Sequence, residues 1–123
     1  MLRSDDPGFE RFGEIYFSSI SKGIIKAWRR HRASTSNLAV PIGAVRLALH
    51  DSRPDSPTRD QTMVIDIGDP NYALVTVPPG VWTGWQCLSD HALVANCATQ
   101  PHSDDEVDRL PALAASVPYR WPE

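Results

Sequence analysis

Short runs of apolar residues, separated by proline, glycine and polar turns, extend along most of the chain. In several runs the apolar and polar residues alternate with a period of two, as in residues 45–49, where Val45, Leu47 and Leu49 share one face. Such alternation is typical of half-buried β-strands. The pattern predicts seven strands, at residues 14–19, 24–32, 38–50, 61–67, 73–78, 81–88 and 92–99.

Helix signals are scarce. Residues 103–106 read S-D-D-E, the S-x-x-E pattern of a capping box, which predicts at most one short helical turn near the C-terminus. Residues 117–122 predict an extended tail. Short strands at this spacing favour an all-β sandwich or barrel.

The composition narrows the class of protein. The chain has 123 residues, 41% of them hydrophobic, and a net charge of −3, which favours one soluble globular domain over residues 1–123. The charge balance does not support a nucleic acid partner. No apolar run is long enough for a membrane helix, and the N-terminus lacks the apolar stretch of a signal peptide, so we expect a cytoplasmic protein.

One basic cluster is a local exception to this balance. It is either a solvated strand end or an anion-binding surface, and it consists of Lys26, Arg29, Arg30 and Arg32.

The chain has two cysteines, Cys87 and Cys97. If residues 89–91 close a hairpin, Thr83 faces Cys97, and the two sulfur atoms lie roughly 13 Å apart at the rise of a strand. A disulfide requires Cα atoms within about 7 Å of each other. We therefore expect both cysteines to be reduced, as in a cytosolic protein.

Two segments carry candidate chemistry. In residues 23–31 the spacing is that of a G-x5-H-x-H motif, and in residues 78–84 it is that of P-x-G-x-x-H. Both motifs resemble the strands that line the pocket of a cupin barrel. Arg29 and Thr83 stand at two of the three histidine positions, and His31 stands at the third.

Most of the chain resembles the cupin-type nucleotide-sugar epimerases, the group of dTDP-4-dehydrorhamnose 3,5-epimerase and its relatives. Residues 23–26 resemble the family's G-V-[IL]-[KR] strand, residues 51–58 its D-x-R-x-x-S-P-T loop, and residues 77–84 its I-P-P-G-x-x-H-G strand. The resemblance implies a cupin-like jelly-roll β-barrel, commonly dimeric, that binds a nucleotide-linked sugar. Because relatives usually begin earlier, it leaves open that this chain lacks an N-terminal strand.

The chain departs from the family at its usual catalytic positions. In the family this chain resembles, a histidine that acts as the catalytic base stands at position 29 and a second histidine at position 83. A tyrosine that acts as the opposing acid follows, within residues 100–102, where this chain has Q-P-H. A related set, the 3,4-ketoisomerases, uses the second histidine of an H-x-H pair as its base. That position is His31 here.

His31 is the candidate catalytic base, because an arginine stays protonated and cannot accept a proton. On a strand Arg29 and His31 share a face, so both would meet one pocket. Like-charge repulsion from Arg29 and Arg30 is expected to keep the imidazole neutral. The alternative is that His31 is a polar residue at a strand end and binds nothing.

Five further residues are candidate substrate ligands, namely Lys26, Arg29, Thr83, Trp85 and His102. Lys26 reaches the pocket only if a β-bulge separates it from Arg29, since strict alternation places the two on opposite faces; otherwise it is a surface lysine. Trp85 is either a core residue or a stacking platform for a sugar or a base. His102 is either an acid that replaces the missing tyrosine or an exposed loop residue.

Two hypotheses follow. The first is a metal-free epimerase or isomerase of a nucleotide-linked 4-keto-6-deoxyhexose in the biosynthesis of surface-polysaccharide sugars. The second is a catalytically silent cupin that binds a nucleotide sugar or a partner protein. Of the cupin metal ligands only His31 remains, so we expect no metal and no other cofactor. The family resemblance also predicts a homodimer.

Overall fold

The computed structural model describes residues 2–122, and strands make up nearly all of its regular structure. Within that range it contains nine strands and a single turn of 3₁₀ helix at Asp104–Glu106. The strands are β1 Glu14–Ser21, β2 Ile25–His31, β3 Ser36–Ile42, β4 Ala44–Asp51, β5 Thr62–Gly68, β6 Val75–Val77, β7 Val81–Cys87, β8 His91–Ala98 and β9 Val107–Arg109.

The strands form two antiparallel sheets. One, here called the front sheet, has the order β1-β8-β3-β6, and the other, the back sheet, has the order β5-β4-β7-β2-β9. Sequential strands are divided between the two sheets, as in a jelly roll. The predicted all-β jelly-roll fold is confirmed.

The prediction of one strand over residues 38–50 is wrong. The chain passes from the front sheet to the back sheet at Gly43, which separates β3 from β4. Gly43 has a φ of +79°. A Cβ atom there would overlap the carbonyl oxygen of His91, so only glycine fits this crossing.

The predicted hairpin at residues 89–91 is also wrong. β7 pairs with β4 and β2 in the back sheet, whereas β8 pairs with β1 and β3 in the front sheet. Residues 89–91 are therefore another crossing between the sheets, held by the hydroxyl of Ser89, which accepts from the N–H of Ala44 and donates to the carbonyl of His91. Both cysteines are free, although the pairing used to predict this does not exist.

Two apolar clusters stabilise the sheets. The larger fills the space between them and includes Leu38, Leu47 and Trp85. The second lies on the outer face of the back sheet, where the tail that follows β9 packs Val117 and Trp121 against Trp28 and other residues of that face. The tail is thus a strap over the strand that carries His31.

The helical structure of residues 2–122 is limited to the three-residue turn at Asp104–Glu106, which is too short to span a membrane. The prediction of one domain over residues 1–123, which left open that a strand of the family is missing, stays a prediction. Residues 1 and 123 lie outside the described range.

Candidate active site

A cavity opens between β1 and β8 of the front sheet and β2 and β9 of the back sheet. Its outer part has a volume of about 300 Å³. A deeper chamber of about 20 Å³ continues from it and is called the inner chamber below. The two parts share Tyr16, Arg29 and His31, so they form one depression with a wide mouth and a narrow floor.

β2 brings three candidate residues to this cavity. Lys26, Arg29 and His31 all line the inner chamber. The register of β2 against β7 shifts between Lys26 and Arg29, and this bulge places both side chains on the cavity side. Without the shift the lysine would face the opposite side of the sheet.

β7 supplies two further candidates, each opposite a residue of β2. Thr83 pairs with Arg29, and Trp85 pairs with Lys26. Both line the inner chamber. Trp85 is 7% exposed and belongs to the core cluster between the sheets, so it is at once a core residue and a wall of the chamber.

His31 is held by a carboxylate that the sequence did not point to. Its Nδ1 lies 2.7 Å from Oε2 of Glu106, in the 3₁₀ turn that precedes β9. The other carboxylate oxygen of Glu106 accepts from the backbone N–H groups of Ala33 and Ser34, at 2.9 and 2.6 Å. The short helical turn predicted from residues 103–106 is confirmed at Asp104–Glu106, but within the described residues Ser103 makes no side-chain cap, and the carboxylate of Glu106 binds His31 instead.

Burial and hydrogen bonding act in opposite directions on Glu106. Burial raises the pKa of this carboxyl group, but the hydrogen bonds from His31 and from the N–H groups of Ser34 and Ala33 outweigh it, and the pKa lies below its ordinary value. Glu106 is therefore ionised at neutral pH. An ionised partner at Nδ1 selects the imidazole tautomer whose Nε2 carries a lone pair.

The basic cluster divides between the two faces of β2. Arg30 and Arg32 both pair with Asp108, at 2.9 and 2.7 Å, and the guanidinium of Arg30 lies 4.5 Å from the ring centre of Trp82, away from the cavity. The two arginines lower the pKa of Asp108 through their hydrogen bonds. Arg29, by contrast, faces the cavity.

The backbone of Arg29 pairs with Thr83 and Arg109, but its guanidinium group makes no hydrogen bond or ion pair with any residue from 2 to 122. Its neighbour across the strands is Arg109 of β9, which also lines the outer cavity and whose closest carboxylate oxygen, on Asp104, is 4.0 Å away. Like charges placed directly opposite on a sheet repel each other. The two guanidinium groups at the cavity mouth therefore repel each other, and an anion bound between them would stabilise this arrangement.

The remaining candidates differ in exposure. Lys26 is anchored by two hydrogen bonds, to Oγ of Ser18 and to the carbonyl of Ser19, both of 2.9 Å. His102 lines the outer cavity, but its side chain is largely exposed and donates to Asp104 over 3.1 Å. Across the described range, no group of three or more His, Cys, Asp or Glu side chains is arranged to hold a metal ion.

Sequence reasoning missed Tyr16, Glu106 and Arg109. Tyr16 could have been found, because the alternation in β1 places it on the inward face with Glu14 and Ser18. Glu106 and Arg109 had no such signal, since their position depends on the pairing of β9 with β2, which are far apart in the sequence.

Comparison with known proteins finds similar molecules both among solved structures and among known sequences. The crystal structure of a dTDP sugar isomerase from Desulfovibrio desulfuricans G20 has a TM-score of 0.95 and 43% sequence identity, over 98% of this chain and 78% of that one. The spore coat polysaccharide biosynthesis protein SpsL of Bacillus subtilis is 29% identical over 98% of this chain and 82% of its own length.

A more distant structure shares the fold. It is a dTDP-6-deoxy-D-glucose-3,5-epimerase from Legionella pneumophila in complex with dTDP-4-keto-L-rhamnose, with a TM-score of 0.81 and 24% identity. The match covers 91% of this chain and 61% of the epimerase. No family model matches the sequence.

Proposed function

The chain belongs to the cupin-type nucleotide-sugar epimerase family, and on that premise we propose that it epimerises or isomerises a nucleotide-linked 4-keto-6-deoxyhexose without a metal ion. The product would serve the biosynthesis of surface-polysaccharide sugars. The observation that carries this proposal is the pairing of His31 with Glu106 at the wall of the cavity.

His31 is the catalytic base in this proposal. The carbon next to a ketone is acidic because the carbanion left by proton removal is delocalised onto the ketone oxygen as an enolate. Nε2 of His31 removes this proton, and the imidazolium that forms is stabilised by Glu106 through Nδ1–H. Return of a proton to the opposite face of the same carbon gives the epimer. Where that carbon carries a hydroxyl group, loss of the hydroxyl proton, protonation of the enolate oxygen and proton delivery to the former carbonyl carbon give the isomeric ketone.

The cations around the cavity bind the anionic parts of the substrate. Arg29 and Arg109 face each other at the mouth and would bind the diphosphate, which matches two guanidinium forks. Lys26 lies deeper and would face the enolate. Thr83, Trp85 and His102 would contact the sugar and the nucleotide from the floor and the rim of the cavity.

A catalytically silent binding protein is the second candidate. Arg29 and Thr83 stand where the family resemblance implies histidines, and a guanidinium group cannot accept a proton. The same cavity would then hold a nucleotide sugar without turning it over.

One experiment separates the two. The protein is incubated with dTDP-4-keto-6-deoxyglucose in heavy water, and deuterium entry at C3 and C5 is followed by NMR. An enzyme exchanges these positions, and His31→Asn abolishes the exchange while Arg32→Gln, on the exposed end of the same segment, retains it. Ligand-induced thermal stabilisation with no exchange in the wild-type protein would establish the binder.

The proposal also includes that the protein is cytoplasmic and forms a homodimer. The outer face of the edge strand β1 exposes Ile15 and Phe17, and Phe12 precedes them, also exposed. A second copy would cover this apolar strip. Sedimentation equilibrium of the wild-type protein and of Phe17→Asp tests it: the variant should be a monomer, and a wild-type monomer at micromolar concentration would contradict the dimer.

A further inference from the structure

The inner chamber collects hydrogen-bond donors whose acceptors are missing from residues 2–122. Tyr16, Ser36 and Trp85 line it, together with Asn96. The chamber has a volume of about 20 Å³, enough for one oxygen atom of water size. The orientation of the surrounding groups indicates what kind of oxygen it accepts.

Asn96 fixes the direction of two hydroxyl groups. Its Oδ1 accepts from the backbone N–H of Asn37 at 3.1 Å, which determines the orientation of the amide. Its Nδ2 therefore donates to both hydroxyls, to Oη of Tyr16 at 3.1 Å and to Oγ of Ser36 at 3.4 Å. Each hydroxyl oxygen accepts from Asn96, so each has its own proton to donate elsewhere.

Neither hydroxyl proton has an acceptor within the described part of the chain. Ser36 is 5% exposed, so solvent reaches its hydroxyl poorly, whereas Tyr16 is half-buried and lines both the inner chamber and the outer cavity. Tyr16 and Ser36 accept from the same amide and line the same chamber, so an oxygen atom in the chamber can accept their protons.

Trp85, which also lines the chamber, carries a third donor without an acceptor in the described range. Its indole Nε1 is buried and has no hydrogen-bond partner among residues 2–122. A buried N–H group without an acceptor costs about 1–3 kcal/mol, so an unpaired donor in the wall of a cavity calls for a ligand.

A chamber of donors favours an oxygen that carries lone pairs and no protons. Water and hydroxyl groups bring protons that need acceptors, whereas a carbonyl oxygen accepts only. An oxygen that gains negative charge during a reaction is stabilised further by donors already in place.

We propose that the inner chamber binds the ketone oxygen of the substrate and stabilises it as an enolate through Tyr16, Ser36 and Trp85. This rests on the proposed function, and it assigns the place of the reacting carbonyl. His31 lines the same chamber, so a carbon next to that carbonyl lies on the side of its imidazole. Removal of the carbon-bound proton by His31 moves the electron pair onto the oxygen held by the three donors, with the ammonium group of Lys26 in the same chamber wall.

The kinetic test uses substitutions that remove one donor and keep the ring. Tyr16→Phe and Trp85→Phe should each lower kcat for deuterium exchange by roughly 10²-fold or more, with a smaller change in KM, as for the loss of an oxyanion donor. Trp82→Phe is the matched control, because Trp82 lies on the other face of β7 and should retain near wild-type exchange. Exchange rates of both chamber variants within threefold of wild type would overturn the proposal.

A binding test does not depend on activity. The chain has four tryptophans, and the indole N–H signal of Trp85 is identified in a ¹⁵N–¹H spectrum as the one that Trp85→Phe removes. We expect it to move downfield with dTDP-4-keto-6-deoxyglucose and to stay unchanged with dTDP-6-deoxyglucose, which differs only by a hydroxyl in place of the ketone. An equal response to both ligands, or none to either, means that the chamber holds only water or a hydroxyl and overturns the proposal.

The two tests separate this inference from the proposed function. A ketone-specific shift of Trp85 without deuterium exchange in the wild-type protein supports the chamber and contradicts the enzyme. Exchange that depends on His31 but not on Tyr16 or Trp85 supports the enzyme and contradicts the chamber.

Discussion

Oε2 of Glu106 lies 2.7 Å from Nδ1 of His31, and this contact joins the 3₁₀ turn before β9 to the end of β2. It orients the imidazole toward the cavity and supplies the negative charge that a protonated histidine needs. The other carboxylate oxygen of Glu106 is fixed by two backbone N–H groups, so Glu106 holds His31 from a fixed position.

Glu106→Gln should lower kcat for exchange by roughly 10²-fold, because the amide can still accept from Nδ1–H but no longer stabilises the imidazolium. KM should change little, since Glu106 acts through His31. Steady-state rates of the variant measure both. Asp108→Asn is the control, because Asp108 pairs with Arg30 and Arg32 away from the cavity, and an equal loss there would mean that the effect is structural.

A second carboxylate serves stability. Asp51 accepts hydrogen bonds from the side chain and backbone of Arg53 and from the hydroxyls of Ser56 and Thr58, and these hold its pKa far below the ordinary range despite burial. Asp51→Asn should lower the free energy of unfolding by roughly 2 kcal/mol at pH 7, because a buried amide cannot accept all the hydrogen bonds that the carboxylate accepts from Arg53, Ser56 and Thr58.

The sign of the pH dependence follows from the lowered pKa of Asp51. Its contribution is fully present above its unfolded pKa of about 3.9 and is lost as the pH falls toward the folded value. The stability difference between wild type and Asp51→Asn should therefore shrink below about pH 4. Urea unfolding at pH 7 and pH 3 measures it, with the exposed Asp55→Asn as control; a difference that grows toward acid pH would contradict the assignment.

Two glycines with positive φ should respond differently to alanine. Gly23 has a φ of +76° and open space at its Cβ position, so Gly23→Ala should cost about 1 kcal/mol from backbone strain alone. At Gly43 the added Cβ would also meet the backbone at His91 and Ala92, and the cost should reach about 3 kcal/mol. Thermal unfolding of both variants measures this, and equal losses would argue against a tight crossing at Gly43.

The strands were predictable from alternation, whereas their pairing was not. The predicted strand over residues 38–50 and the predicted hairpin at residues 89–91 failed at the same feature, since both segments cross between the sheets. Local pattern does not distinguish a crossing from a hairpin, because the choice depends on partners far away in the sequence.

The candidate site shows the same division. Residues on β2 and β7 shared a face in the sequence pattern, and the structure brings Arg29, His31 and Thr83 to one chamber. Glu106 lay in a pattern typical of a helix cap, and only the pairing of β9 with β2 brings it to His31. The roles of these residues stay predictions until the exchange experiment is done.

The C-terminal strap should stabilise β2 without taking part in the chemistry. Val117 is fully buried against Trp28 and Trp82 on the outer face of the back sheet, opposite the cavity. Val117→Ala removes two methyl groups' worth of buried surface and should lower the free energy of unfolding by about 2 kcal/mol. Leu113→Ala in the same tail is the control, because Leu113 is 74% exposed and should change stability by less than about 0.5 kcal/mol. Since Val117 packs behind the strand and not at His31, kcat and KM of the folded variant should match wild type. A loss of kcat with unchanged stability would instead show that the strap controls the position of the base.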